Sequence, residues 1–171
     1  MDASSYRKRG VPLRARPDFL VIGAMKSATT TLHVQLARQT GLFMSALKEP
    51  NFFSDDENYA RGFAWYEQLF LDAAEGEIRG ESSTHYTKLP TYPRTVERIA
   101  SALPHVKLIY VMRHPIDRLV SQYVHERTVG RTGDGLHAAI DGIAELIEYG
   151  RYSMQLRPYL ETFGPSSVLP V

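Results

Sequence analysis

Residues Phe19 to Gln39 read FLVIGAMKSATTTLHVQLARQ, and this stretch limits the possible folds more than any other. Phe19, Leu20, Val21 and Ile22 form a short continuous apolar run, the composition of a strand buried on both faces. Gly23 ends the run, and the polar turn Ala24-Met25-Lys26-Ser27-Ala28 follows. An amphipathic segment opens at Thr29-Thr30-Thr31, with Leu32 and Leu36 one helical turn apart and Gly41 where a helix would stop. A buried strand, a tight turn and a helix in this order aim free backbone N–H groups and the positive end of a helix dipole at one spot. That spot suits a phosphate or sulfate.

The form of the turn narrows the ligand. A nucleoside-triphosphate loop reads G-x-x-x-x-G-K-[ST], with its lysine on the end phosphates and its hydroxyl on Mg²⁺. Aligned on Gly23, this chain carries Ala28 in place of the second glycine and Thr29 in place of the lysine, and Lys26 comes three residues earlier. The loop is built for an anion without the triphosphate and magnesium hardware. K-S-A-T-T after a buried strand resembles the phosphosulfate-binding loop of the sulfotransferases that use phosphoadenosine phosphosulfate (PAPS).

Further elements carry the same resemblance. Leu42 to Leu47 reads as a second short strand running into Lys48-Glu49-Pro50-Asn51-Phe52-Phe53. A carboxylate just past a strand end lies where the ligand crevice of a parallel sheet opens. K-E-P-N-F-F resembles the K-E-x-x-F-F element of carbohydrate-type and bacterial sulfotransferases, in which the glutamate is the proposed general base. Gly62 with Trp65-Tyr66 fits a G-x-x-W-Y segment of the same family, inside an aromatic helix expected over Phe63–Phe70. Glu77 to Ser83 reads as a third strand, where the family often has E-K-T-P-x-Y. Here Ser82 stands at the lysine position, so a second cation is not expected from it. His85, one residue out of register, ranks behind Glu49 as a base.

Tyr92 to Ala102 is expected to be helical, and Val106 to Met112 is the clearest strand in the chain. Arg113 marks its carboxyl end, with His114 as cap and Pro115 in the first turn of a helix that carries a stripe of Ile116, Leu119, Val120, Tyr123 and Val124. Arg113-His114-Pro115 with Arg118 and Ser121 resembles the R-x-P-x-x-R-x-x-S element of sulfotransferases. There the residues matching Arg113 and Ser121 hold the 3′-phosphate of PAPS. A guanidinium fork and a hydroxyl are directed donors to a phosphate dianion. Residues 129–135 read as a loop, Leu136–Tyr149 as a helix, and Tyr152 onward as another in which Pro158 should cause a kink or restart. The G-x-Y start at Gly150 resembles the family segment whose tyrosine, here Tyr152, approaches the adenine.

Together these elements predict a three-layer α/β domain over residues 18–171, with a mainly parallel sheet, helices on both faces and a P-loop-like topology. Residues 1–17, rich in arginine and holding little to bury, read as a mobile basic arm. The last residues, Ser167 to Val171, fall where the family has another core strand. Pro170 suits the middle of such a strand poorly, and the chain is expected to lack the family's C-terminal part.

The resemblance implies sulfuryl transfer from PAPS, leaving PAP, to an acceptor hydroxyl or amine on a small molecule or carbohydrate. Lys26, Ser27, Ala28, Thr29, Thr30, Arg113, Ser121 and Tyr152 would hold the donor. Glu49 would be the base, Lys26 would assist at the leaving phosphate, and no metal would take part. The alternatives are a non-catalytic fragment that binds PAPS or PAP, and a P-loop kinase. The net charge of +1 gives no reason to expect nucleic-acid binding. A chain without cysteine, signal-peptide core or membrane-length apolar run is expected in the cytoplasm. Oligomeric state is not legible.

Overall fold

The computed structural model of the chain describes residues 15–171. Most of the expected basic arm therefore lies outside the described residues. Of its end, Ala15 is buried, and Arg16 donates to Glu67 and to the carbonyl of Ala102.

Five strands form one sheet: β1 (Phe19–Gly23), β2 (Leu42–Met44), β3 (Ile78–Ser82), β4 (Lys107–Tyr110) and β5 (Val168–Pro170). The order is β2-β3-β1-β4-β5, and every pairing is parallel. An all-parallel sheet must be covered on both faces, because each connection crosses over it. The two faces of β1 show this directly. Leu20 and Ile22 pack into a core that holds Ile99 of helix α4 (Thr95–Ala102), together with Phe52, Phe53 and Tyr66. Phe19 and Val21 meet Leu32 and Leu36 of helix α1 (Thr29–Leu36) on the other side. The chain runs outward from β1 to one edge and then returns past it toward the other. This reversal places the crevice for a ligand outside the carboxyl end of β1.

The connections hold six further helices: α2 (Asp56–Ala60), α3 (Phe63–Gln68), α5 (Pro115–Thr128), α6 (Leu136–Gly142), α7 (Glu145–Glu148) and α8 (Tyr152–Phe163). The single helix expected over 136–149 is thus two short ones, and α8 runs through Pro158 without a restart. Pro170 is accommodated because β5 is the edge strand and needs no donor on its outer side.

The α5 stripe faces inward only in part: Leu119 and Tyr123 pack against Ala139, Ile143 and Leu146, and the rest of it is exposed. Ile116 is 65% exposed and Val124 55%, whereas Arg118, Gln122 and Glu126 are buried. Arg118 donates to Gln122 and to the carbonyl of Leu146, Gln122 donates to Glu126 at 3.2 Å, and Arg131 closes the ladder on Glu126 at 3.2 Å. A polar row spaced by four residues can replace an apolar one when each member meets a partner.

Candidate functional site

The loop after β1 is shaped as an anion cradle. Lys26 and Ala28 adopt left-handed backbone (φ 65° and 60°), which turns successive amides toward one side. Among the described residues the Lys26, Ala28, Thr29 and Thr30 amides have no backbone acceptor outside the helix, and the first turn of a helix supplies none within it. Ala28 is the N-cap of α1 and has no side chain with which to satisfy these donors. Ser27 is 2% exposed, and its buried hydroxyl has no hydrogen-bond partner among the described residues. Lys26 forms no ion pair among the described residues. A buried hydroxyl without a partner, beside four free amides, is a donor set that suits an oxyanion.

Glu49 lies beyond the end of β2, with φ 57°. Its amide donates to the Ser82 carbonyl at 2.9 Å, which fixes its loop against the end of β3. The carboxylate accepts from the Thr84 amide at 2.7 Å, from the Thr84 hydroxyl at 3.3 Å and from Lys48 Nζ at 2.6 Å. The acid is therefore pinned in one orientation by the backbone that follows β3. Pro50 is buried behind it, and Phe52 and Phe53 face the core rather than the crevice, with Phe52 stacked on Tyr66 at 4.7 Å.

The segment after β3 coils into a 3-10 turn, Thr84–Thr87, and holds both loops at once. The Ser83 hydroxyl accepts from the Asn51 amide at 3.1 Å, and the Ser83 amide donates to the Val21 carbonyl at 3.0 Å. The Thr87 hydroxyl donates to the Ile22 carbonyl at 2.7 Å, next to Gly23. A Cβ added at Gly23 would stand 2.0 Å from that hydroxyl, so only glycine fits where the cradle begins. Thr84, Ser83 and Thr87 escaped the sequence reading. Their only signal is the hydroxyl-rich run S-S-T-H-Y-T, which reads equally well as an ordinary loop.

Ser82 faces α1, and its hydroxyl lies 2.9 Å from Nδ1 of buried His33. Burial lowers the His33 pKa, Lys48 lowers it further and Glu49 opposes them. His85 stacks on Tyr92 at 4.8 Å, and burial and Lys88 bring it down to about 4, so it is neutral near pH 7. Next to Ser82, on the other face of β3, fully buried Glu81 accepts from the Tyr66 and Tyr86 hydroxyls at 2.8 and 2.9 Å. Burial raises its pKa to about 7, and the hydrogen bonds oppose this.

Arg113, past the end of β4, is exposed and makes no ion pair among the described residues. Its peptide is clamped by Tyr152, whose hydroxyl donates to the Arg113 carbonyl at 2.7 Å and accepts from its amide at 3.3 Å. His114 caps α5 by position only, without a side-chain bond, and half-buried Ser121 lies in the helix's second turn. Lys26–Thr30, Glu49 and Arg113 thus all follow carboxyl ends of parallel strands.

The model of the family described as the sulfotransferase domain matches residues 16–171. The human heparan sulfate glucosamine 3-O-sulfotransferase 6 is 33% identical over 177 residues, covering 94% of this chain and 49% of that protein. The membrane-associated sulfotransferase kil1 of Dictyostelium discoideum is 34% identical over 110 residues, covering 63% of this chain and 22% of that protein. The chain therefore spans half or less of the length of these curated relatives. Among solved structures, a sulfotransferase from Alicyclobacillus acidocaldarius superposes with a TM-score of 0.77 at 29% identity, covering 92% of this chain and 73% of that one.

Proposed function

Because this chain belongs to the sulfotransferase domain family, we propose that it transfers a sulfuryl group from PAPS to a hydroxyl or amine of a small-molecule or carbohydrate acceptor. The observation that carries the reading is the unpartnered Ser27 hydroxyl among the free amides of the 26–30 turn, at the same end of the sheet as Glu49.

When bound, the donor supplies a sulfuryl group already activated by its bond to phosphate. The chain's own residues do the rest. The amides of Lys26, Ala28, Thr29 and Thr30 and the Ser27 hydroxyl bind the phosphosulfate oxygens, and Lys26 adds a positive charge where the leaving phosphate gains negative charge. Arg113 and Ser121 bind the 3′-phosphate, with the Arg113 backbone fixed by Tyr152. The Glu49 carboxylate, oriented by Thr84, accepts the proton of the attacking hydroxyl or amine. None of these roles needs a metal.

Calorimetric titration with PAP tests the donor site. The expected result is binding without Mg²⁺ that weakens in Arg113→Ala by about 1.5–3 kcal/mol, the value of a hydrogen bond to a charged group. That corresponds to roughly tenfold to a hundredfold in Kd. Equal affinity in the variant removes Arg113 from the site, and Mg²⁺-dependent ATP binding in place of PAP overturns the whole reading.

A further inference from the structure

Lys88 has no role in the chemistry above, and its setting is unusual for a lysine. It is only 9% exposed, the lowest exposure of any lysine among the described residues, and among those residues its Nζ donates to no protein acceptor. The one group shown against the ammonium is the Tyr149 ring, 5.6 Å away from it by its centroid, and the Tyr149 hydroxyl is turned to Thr91 at 2.6 Å. The stem of the side chain is buried while the ammonium still reaches solvent, which leaves its hydrogen-bonding positions open to a ligand.

Its position in the chain is equally informative. Lys88 directly follows Thr87, whose hydroxyl holds the Ile22 carbonyl at the mouth of the anion cradle, and lies four residues after Thr84, which holds Glu49. It is anchored between the two loops that frame the crevice. The charges that act on it are Glu49 from the β2 loop, Glu126 from α5 and Arg131 from the loop after α5, with His85 within reach on its own segment. Neither carboxylate contacts it. Burial holds its pKa down to about 8, with the two carboxylates working against that.

We propose that Lys88 is an oxyanion-binding residue of the transfer crevice, a cation without a protein partner, anchored between the Thr84 and Thr87 tethers, whose open hydrogen-bonding positions are taken by substrate. The inference rests on the sulfotransferase reading of the crevice. The oxyanion has two chemical sources: the sulfuryl group in transit, or an acidic substituent on the acceptor next to the reacting hydroxyl or amine. Arg131 is tied to Glu126 and Glu145, so among the cations acting on this position Lys88 is the uncommitted one.

The chain has five lysines, so the ¹³Cε resonances of lysine can be titrated one by one, with Lys88 assigned by its absence in Lys88→Arg. The probes are inorganic sulfate and glucuronate, each with and without PAP. Lys88 is expected to titrate near 8 in the free chain and above about 9 with the anion bound, because a nearby negative charge favours the ammonium. A rise with sulfate that needs PAP assigns the sulfuryl group. A rise with glucuronate regardless of PAP assigns an acidic acceptor. In Lys88→Met, affinity for the responding probe should fall about tenfold or more. A Lys88 resonance that ignores both probes while PAP still binds overturns this proposal and leaves the donor reading standing. Failure of PAP to bind while sulfate or glucuronate still moves Lys88 does the reverse.

Discussion

Two carboxylates near the carboxyl ends of β2 and β3 sit in contrasting surroundings. Glu49 sits in a half-exposed crevice with an amide, a hydroxyl and an ammonium directed at its carboxylate. Replacing it with Gln keeps an oxygen for the Thr84 amide and removes the proposed base. The expected outcome for Glu49→Gln is PAP affinity like that of the parent, with kcat for sulfuryl transfer down by about 10²–10⁴. A single-turnover assay beside calorimetry would check both halves, and unchanged kcat would take the base role away from Glu49. Glu81, about 7 in the folded chain against 4.5 for the free side chain, favours its protonated form in the fold. Between those values the folded chain holds more protons than the unfolded one, so this group's contribution is full below about 4.5 and is lost as pH rises through about 7. Urea midpoints from pH 4.5 to 8 should show the stability of the parent relative to Glu81→Gln falling across this window. A flat difference would mean that Glu81 is ionised throughout.

Elements read from the sequence succeeded where one signal dominated. The apolar runs of β1 and β4, the glycine-ended turn and the proline-led start of α5 are local signals, and the structure has each in place. The inner face of α5 was not legible in the same way. Periodicity reports the apolar side of a helix, and here Ile116, Val120 and Val124 are exposed while a hydrogen-bonded row of Arg118, Gln122 and Glu126 is buried. A row of this kind is stable only because Leu146 and Arg131 complete it from distant parts of the chain, which local pattern cannot show. The candidate site was half legible for the same reason. Lys26, Glu49 and Arg113 stand in recognisable motifs, but the hydroxyls that hold them and the burial of Lys88 depend on tertiary packing. At this scale Gly23 gives the sharpest test. Gly23→Ala should lower stability by about 1–3 kcal/mol or more. Thr87→Ala removes the 2.0 Å obstruction, so in urea unfolding the double variant should lose less than the sum of the singles. Strict additivity would mean that the two residues do not meet.

Across the whole molecule, the parallel sheet is least exposed at its middle. β1 is bonded on both sides, to β3 and β4, and its five residues are all buried, whereas three-residue β2 lies at an edge. Native-state hydrogen exchange should therefore be slowest for the amides of Leu20 to Ile22 and clearly faster for Leu42 to Met44. Equal protection would show that the sheet opens as one unit.

The short span Ser82–Thr87 is stitched to the Glu49 loop at one end and to the mouth of the anion cradle at the other. The proposed donor cradle and the proposed base are thus fastened to one common bracket and cannot be tuned separately from within it. A directed-evolution campaign that randomised these six positions in search of new acceptors would mostly harvest variants that had lost their hold on the donor too. On this proposal, changes of acceptor preference are expected from walls outside the bracket.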